Sequence, residues 1–273
     1  MEERIVVTGG RPLNGSVKIP AAKNSVLPLF AASLLCTGEV RLKAVPRLAD
    51  VEHCMALLRG VGCSARWEGS DAVLSGPPAN STLPGQTAGQ MRASILFCAP
   101  LLARLGRAET SLPGGCRIGA RPIDLHLYAL RAMGAEIEEK SGHLRCRGAA
   151  LHGAEIFLRT PSVGATENAI LAACAASGTT VISNAAREPE IMELQDFLRA
   201  MGACVQGAGS ATVVVEGRKK LHGCTHRVRP DRIVAATYLC AAAGTGGCVY
   251  LHRADYRHLA AVLCILQKSG CEI

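Results

Sequence analysis

The sequence has few aromatic residues and no long apolar run. Its 273 residues include one Trp, four Tyr and four Phe, although apolar residues as a whole make up 49%. Small aliphatic side chains must therefore build the core of a globular protein. No segment reaches the roughly 18 consecutive apolar residues that span a bilayer, and the start, MEERIVVTGG, has no basic segment followed by an apolar stretch. We expect a cytoplasmic protein without a membrane partner.

Spacings typical of metal sites and disulfides are also absent. The 13 cysteines are odd in number, contain no C-x-x-C pair and lie mostly in apolar segments, as Cys98 does. This pattern is typical of buried, packing thiols in a reducing compartment. The net charge of +8 comes without a Lys/Arg run longer than three and without interleaved aromatic residues. It therefore favours attraction of small anionic substrates over a nucleic-acid surface.

The sequence does contain a unit of about 70 residues that occurs four times. Each copy begins with an apolar helix, expected at roughly 25–36, 91–104, 164–176 and 230–243. A strand and a second helix follow, and the second helix ends on a capping glycine, at Gly62, Gly134, Gly202 and Gly270. Another strand comes next and, in the first three copies, a polar turn and one more strand. The pattern predicts an α/β (α+β) fold of repeated helix-strand-helix-strand-strand units.

The second copy is four residues longer than the others. From the turn glycine to the helix-end glycine it spans 28 residues (106 to 134), whereas the other three copies span 24. The additional residues lie between Leu112 and Pro122, in a glycine-rich loop that places Cys116 between arginines. Insertions into a regular scaffold are frequent places for function. The Cys116 thiol is therefore a candidate reactive group.

The fourth copy stops at residues 271–273, where the strand after its second helix should begin. A sheet that ended there would have an unpaired edge. We therefore expect the sequence to be a piece of a longer protein.

Six motifs, taken in order, resemble the UDP-N-acetylglucosamine enolpyruvyl transferases. They are AKN at 22–24, MRAS at 91–94, LPGGCRIGARPIDLH at 112–126, SVGAT at 162–166, NAAREPE at 184–190 and PDR at 230–232. The resemblance covers the whole chain and implies an inside-out α/β barrel of two domains, each with three repeat units. It assigns 22–229 to the first domain, and 1–21 with 230–273 to an incomplete second domain.

The resemblance implies a reaction between two small anions. Members of this family transfer the enolpyruvyl group of phosphoenolpyruvate to the 3-hydroxyl of UDP-N-acetylglucosamine and release phosphate, in the first committed step of peptidoglycan synthesis. Arginine and lysine suit such substrates because they neutralise phosphate and hydrogen-bond to it. No metal, organic cofactor or nucleic-acid partner is implied, and the oligomeric state is left open.

The resemblance also implies roles for individual residues. Cys116 is the general acid that protonates the methylene carbon of phosphoenolpyruvate and the nucleophile that fosfomycin alkylates. The residues expected to bind phosphoenolpyruvate are Lys23, Asn24, Cys116 and Arg121. Those expected to bind UDP-N-acetylglucosamine are Asn24, Arg92, Arg121, Pro122, Ile123, Asp124, Leu125, Ser162, Val163 and Gly164. A polar cluster near the domain junction, with either catalysis or structural ion pairing as its role, consists of Glu188, Asp231 and Arg232.

Some alternatives stay open. His126 either orients the Cys116 loop or caps its helix, and Thr160 and Pro161 stand where many relatives carry a lysine, which leaves one diphosphate contact open. We expect the family's general base to lie beyond residue 273. The chain is then a catalytically silent fragment that binds the nucleotide sugar, or part of a working enzyme. The sister transferase of the shikimate pathway is a third interpretation, disfavoured because that relative lacks a loop like that of Cys116.

Overall fold

The computed structural model describes residues 4–114, 122–148, 150–217 and 219–273. The chain forms two compact units. The smaller contains the residues up to Ala22 together with Pro230–Ile273, and the larger is Lys23–Arg229. Cys116 and Arg121 lie outside the described residues.

Helices and strands follow one another along both units. The helices are α1 (Lys23–Ala32), α2 (Ala49–Gly60), α3 (Gly85–Ala88), α4 (Cys98–Leu105), α5 (Asp124–Ala132), α6 (Val163–Ala175), α7 (Pro189–Ala200), α8 (Arg232–Thr245) and α9 (Ala260–Lys268). The strands are β1 (Asn14–Lys18), β2 (Val40–Lys43), β3 (Ser64–Glu68), β4 (Asp71–Ser75), β5 (Arg107–Ser111), β6 (Glu136–Lys140), β7 (His143–Arg147), β8 (Glu155–Phe157), β9 (Thr179–Ser183), β10 (Cys204–Gln206), β11 (Thr212–Glu216), β12 (Thr225–Arg227) and β13 (Cys248–His252). Short 3-10 segments are Ser33–Leu35, Arg92–Phe97 and Tyr256–His258. Within the described ranges, every helix is too short or too polar to cross a membrane.

The repeating unit predicted from the sequence is confirmed. α1-β2-α2-β3-β4 form the first copy, α4-β5-α5-β6-β7 the second and α6-β9-α7-β10-β11 the third, while α8-β13-α9 begin a fourth. The glycines expected to end the second helices have φ values from +91° to +96°. This is the left-handed conformation of a C-terminal cap, which glycine adopts without steric strain. Local apolar periodicity and glycine caps thus placed the helices of the repeats, whereas α3 was not predicted and the helix expected at 91–104 is a 3-10 segment followed by α4.

Three strands were not predicted from the sequence. β1, β8 and β12 each precede the first helix of a copy, and β8 and β12 have only three residues. β8 pairs in parallel with β9, β12 with β2, and β1 with β13. In the second copy the same place is taken by an isolated parallel bridge between Thr82 and Glu109. β8 and β12 are too short to show an alternation of polar and apolar side chains, and β1, with the sequence NGSVK, has none.

These parallel pairs connect the three copies of the larger unit. The chain after β4 reaches β5 at the Thr82–Glu109 bridge, β8 joins β9, and β12 returns to β2. The resulting sheets have the strand orders β12-β2-β4-β3, β5-β7-β6 and β10-β11-β9-β8. The chain that follows the third copy therefore completes the sheet of the first.

The first helices of the copies lie in the core of the larger unit. All residues from Ser25 to Ala32 of α1 and from Ala165 to Cys174 of α6 are buried. In α2, by contrast, one face is buried, including Val51, Met55 and Leu58. A helix that is buried on all sides belongs to the interior. Helices therefore occupy the centre, and strands such as β9, with alternating exposure, surround them.

Two glycines allow the chain to approach a strand closely at these junctions. Gly153 stands two residues before β8, and Gly223 stands two residues before β12. A Cβ atom at Gly223 would lie 2.0 Å from the carbonyl oxygen of Glu39, and one at Gly153 would lie 2.2 Å from that of Thr179. Because a backbone carbonyl beside a strand has little freedom to move, only glycine fits at these positions.

The smaller unit contains the sheet β1-β13 together with α8 and α9. Its buried hydrophobic cluster contains Ile19, Ala235 and Leu259. The expectation that the cysteines other than Cys116 are buried packing thiols is wrong for three exposed ones in this unit, which buries few side chains: Cys240, Cys248 and Cys264. Three others are only partly buried: Cys204, Cys224 and Cys271. Six cysteines of the larger unit are buried as expected: Cys36, Cys54, Cys63, Cys98, Cys146 and Cys174.

Candidate functional site

Most residues that the resemblance assigns to substrates lie at the starts of helical segments in the larger unit. They are Lys23 and Asn24 in α1, Arg92 in the 3-10 segment, Pro122, Ile123, Asp124 and Leu125 at α5, and Ser162, Val163 and Gly164 at α6. α1 contacts the 3-10 segment, which contacts α6, and α6 contacts α5. Helix starts carry unpaired N–H groups and a partial positive charge that favour anions. The helical segments that carry these residues therefore contact one another in series.

The remaining predicted residues lie elsewhere. Cys116 and Arg121 are outside the described residues, and Glu188 precedes α7 in the larger unit. Asp231 and Arg232 belong to the smaller unit. The Asp231 carboxylate accepts hydrogen bonds from the backbone N–H groups of Ile233 and Val234 at 2.8 and 3.0 Å. Asp231 therefore has a structural role as the N-terminal cap of α8.

Polar contacts anchor three of the helix starts. Nη2 of Arg92 donates to the carbonyl oxygen of Pro122 at 2.9 Å, which connects the 3-10 segment to the start of α5. Nζ of Lys23 lies 2.9 Å from Oδ2 of Asp50 in an ion pair. Oγ of Ser162 accepts from the backbone N–H of Ala165 at 3.4 Å and caps α6. The cations Lys23 and Arg92 are thus held by neighbouring groups of the larger unit.

An ion pair that the sequence did not reveal connects α5 to the segment before α6. Nη2 of Arg159 donates to Oδ2 of Asp124, the first residue of α5. The Arg159 side chain is 71% exposed and that of Asp124 is 43% exposed. The two residues are 35 positions apart, and no local pattern predicts a contact over that separation. The one feature of the sequence that could have pointed to Arg159 is its position three residues before Ser162.

His126, in the first turn of α5, is buried with only 4% of its surface exposed. Burial, followed by the charge of Arg92, lowers the pKa of His126 to about 4, while Asp124 acts in the opposite direction. The imidazole is therefore neutral at pH 7. Its Nδ1 has no hydrogen-bond partner among the described residues, and the capping position of α5 is occupied by Ile123. His126 thus does not cap this helix.

The start of α6 approaches the imidazole of His126 closely. A Cβ atom at Gly164 would lie 2.9 Å from Cε1 and 3.1 Å from Nε2 of His126. Ordinary van der Waals contacts between such atoms are longer. Glycine at 164 therefore permits this close approach. The contact sets the distance between α5 and α6, the helices that carry the two segments assigned to the nucleotide sugar.

Replacing Gly164 by alanine is expected to destabilise the larger unit. The new methyl group must displace a buried imidazole, and overpacking of this kind lowers the free energy of unfolding by about 1–3 kcal/mol. Urea denaturation measures the loss. With His126→Ala already present, Gly164→Ala is expected to cost about 0.5 kcal/mol or less, because the opposing ring is gone. Gly244→Ala, where the new methyl group meets nothing within 4 Å, is the control. An equal loss from Gly164→Ala in the unmodified protein and in His126→Ala would contradict the contact between Gly164 and His126.

A group of buried carboxylates in α6 and α7 was also not predicted. Glu167, Glu190 and Glu193 are at most 4% exposed. Burial, followed by the charges of Glu190 and Glu188, raises the pKa of Glu167 well above its ordinary value. Oε1 of Glu193 accepts from the backbone N–H of Arg229 at 2.7 Å. A glutamate within an apolar helix was the signal in the sequence.

The described side chains are suited to binding anions more than to transferring protons. Lys23, Arg92 and Arg159 are basic side chains at or near the starts of helical segments. His126 is neutral and buried, and burial raises the pKa of the Glu167 carboxyl group. Within the described part of the chain, no three His, Cys, Asp or Glu side chains are arranged to hold a metal ion.

The comparisons with known sequences agree with this arrangement. The family of EPSP synthase (3-phosphoshikimate 1-carboxyvinyltransferase) matches residues 7–273. The UDP-N-acetylglucosamine 1-carboxyvinyltransferase 2 of Caldanaerobacter subterraneus subsp. tengcongensis is 47% identical over 98% of this chain and 64% of its own length. The UDP-N-acetylglucosamine 1-carboxyvinyltransferase of Zymomonas mobilis subsp. mobilis is 50% identical over 99% of this chain and 66% of its own length. The chain thus spans slightly less than two thirds of these relatives.

Solved structures share the fold at lower identity. The enolpyruvyl transferase NikO from Streptomyces tendae has a TM-score of 0.76 and 23% identity, and the match covers 85% of this chain and 55% of NikO. EPSP synthase from Acinetobacter baumannii has a TM-score of 0.76 and 22% identity, with coverage of 96% and 61%. The repeated units, the central helices and the match over nearly the whole sequence lead to one conclusion: the chain belongs to the EPSP synthase family of enolpyruvyl transferases.

Proposed function

We propose that this chain belongs to an enzyme that transfers the enolpyruvyl group of phosphoenolpyruvate to the 3-hydroxyl of UDP-N-acetylglucosamine, the first committed step of peptidoglycan synthesis. The observation that carries the proposal is the 44–50% identity to curated relatives named UDP-N-acetylglucosamine 1-carboxyvinyltransferase, over 98–100% of this chain. The solved EPSP synthase is only 22% identical. The four-residue insertion around Cys116 also favours the nucleotide-sugar reaction over that of the shikimate pathway.

Three groups of residues share the work in this proposal. Cys116 donates a proton to the methylene carbon of phosphoenolpyruvate. Together with Lys23, Asn24 and Arg121, it also binds this substrate. Asn24, Arg92 and Arg121, together with 122–125 and 162–164, bind the nucleotide sugar. The connected contacts among α1, the 3-10 segment, α5 and α6 support this assignment. So does the partial positive charge at the starts of α5 and α6, which suits a diphosphate.

The proposal extends to the setting of the enzyme. Residues 22–229 form its first domain, and 1–21 with 230–273 belong to the second, an assignment supported by the division of the chain at Ala22 and Arg229. The partners are the two small anionic substrates, without nucleic acid, membrane, metal or organic cofactor. Its location is the cytoplasm, in agreement with the free thiols of the described cysteines.

A second candidate function is binding of the nucleotide sugar without turnover. The observation that favours it is the contact between α5 and α6, whose starts carry the two segments assigned to the nucleotide sugar. The segments at α5 and α6 are both present, so binding needs less of the protein than catalysis does. Removal of the sugar hydroxyl proton needs a base, which the resemblance puts beyond residue 273.

Phosphate release by the whole enzyme that contains this chain, and calorimetry on the 273-residue chain, test the two candidates. Release of phosphate from phosphoenolpyruvate that requires UDP-N-acetylglucosamine would establish the transferase. Heat of binding of UDP-N-acetylglucosamine without phosphate release would establish the binding function instead. Release that requires shikimate 3-phosphate, or no binding of either acceptor, would overturn the proposal.

A further inference from the structure

Arg159 lies at the point where the two segments assigned to the nucleotide sugar come together. It stands between β8 and α6, three residues before the cap Ser162. Its guanidinium contacts Asp124, the first residue of α5. One arginine therefore connects the starts of both helices, although neither the sequence pattern nor the resemblance assigned it a role.

The ion pair with Asp124 is a weak structural contact. Pairs between exposed side chains contribute about 0–1 kcal/mol to folding, because water and salt screen the charges. Here the Arg159 side chain is 71% exposed and that of Asp124 is 43% exposed. Stability alone therefore gives little reason for an arginine at this position.

The Arg159 guanidinium also has N–H donors that it does not use within the described ranges. Arginine offers five N–H donors in a planar fork. Within the described ranges, Nη2 donates to Oδ2 of Asp124 and no other donor of Arg159 makes a hydrogen bond. The unused donors suit the oxygens of a phosphate, which arginine binds with two parallel hydrogen bonds.

The surroundings of Arg159 favour an anion with more charge than the Asp124 carboxylate that it now contacts. The starts of α5 and α6 carry partial positive charge, and Arg92 adds a full charge where it contacts Pro122. Asp124 supplies one negative charge to this group, whereas a nucleoside diphosphate supplies two or more. A diphosphate therefore competes well for the guanidinium.

We propose that Arg159 binds the diphosphate of the nucleotide sugar and exchanges Asp124 for phosphate oxygens when the ligand arrives. This inference rests on the proposed function. It adds a binding residue and identifies the Arg159–Asp124 ion pair as the form of the site without ligand. Arg159 then distinguishes a nucleoside diphosphate from a nucleoside.

The affinity of UDP relative to uridine tests the proposal. Calorimetry measures UDP and UDP-N-acetylglucosamine, and NMR titration measures uridine, on the 273-residue chain and its variants. Arg159→Ala is expected to weaken UDP binding about tenfold, the loss of one charged contact, and to leave uridine binding unchanged. Arg159→Lys is expected to recover part of the loss, since it restores the charge but not the fork. Asp124→Asn is expected to keep or raise the ratio of UDP to uridine affinity, because the competing charge is gone.

Arg145→Ala is the matched control, since Arg145 on β7 forms a similar exposed ion pair with Glu109 on β5. It is expected to leave UDP affinity unchanged. If Arg159→Ala weakens uridine and UDP equally, Arg159 acts only through Asp124 and the diphosphate contact is wrong. If UDP-N-acetylglucosamine binds the unmodified chain and Arg159→Ala has no effect, the inference fails and the proposed function stands. If the unmodified chain does not bind UDP-N-acetylglucosamine at all, the proposed function fails, and the inference with it.

Discussion

Replacing Cys116 by alanine is expected to lower the rate of phosphate release by a factor of about 10² to 10⁴, the usual contribution of a positioned general acid. In the proposed mechanism the methylene carbon of phosphoenolpyruvate must gain a proton before the sugar oxygen can add. Alanine has no proton to donate. A coupled phosphate assay of the whole enzyme at neutral pH with both substrates measures the loss, and affinity for UDP-N-acetylglucosamine is expected to remain.

Two further variants make this test specific. Cys116→Asp restores a proton donor and is expected to recover part of the rate, most strongly in acid, where the carboxyl group holds its proton. Cys240→Ala removes an exposed thiol from α8 and is expected to change nothing. Mass spectrometry after fosfomycin treatment gives a readout that does not need turnover, since the adduct should disappear with Cys116→Ala. Full activity of that variant would remove Cys116 from the mechanism.

The buried imidazole of His126 is expected to make the protein less stable in acid. Burial holds the pKa of His126 at about 4, against 6.5 in the unfolded chain. As the pH falls from 6.5, the unfolded chain takes up this proton first, so the free energy of unfolding decreases until the folded imidazole is protonated near pH 4. At 1.36 kcal/mol per pH unit, the loss amounts to about 3 kcal/mol.

Urea denaturation at pH 4, 5.5 and 7 measures this dependence. His126→Gln is expected to flatten the profile between pH 6.5 and 4 relative to the unmodified protein, because glutamine does not titrate. His143→Gln removes an exposed imidazole from β7 and supplies the background from the remaining carboxyl groups. A profile of His126→Gln parallel to that of the unmodified chain would contradict a buried, neutral imidazole. The prediction also matters for the site, because a charged His126 would disturb the contact with Gly164.

The helices were predictable because their signals are local. An apolar face recurs every three to four residues, and a glycine in left-handed conformation ends each second helix. β8 and β12 were not predictable, since a strand of three residues shows no period. They exist because β9 and β2 offer unpaired backbone groups in parallel register, such as Ile182 opposite Ile156.

Some residues of the candidate site were likewise predictable from the sequence, and others were not. Resemblance to known motifs pointed to Lys23, Arg92 and the two segments at α5 and α6. It did not point to Arg159 or Glu167, and it left two roles open for His126. The partners of these residues, Asp124, Glu190 and Gly164, lie more than 20 positions away in the sequence. Their ion pairs, burial and pKa values follow from helices that meet only after folding.

The sequence by itself determined the repeating unit, the class of fold and the family of this protein, because all three are encoded in the order and spacing of residues along the chain. Only the tertiary structure decided which strands join the copies, which imidazole is neutral and which arginine connects α5 to α6. Those properties depend on distance and burial, and both are set by packing between segments that are far apart in sequence.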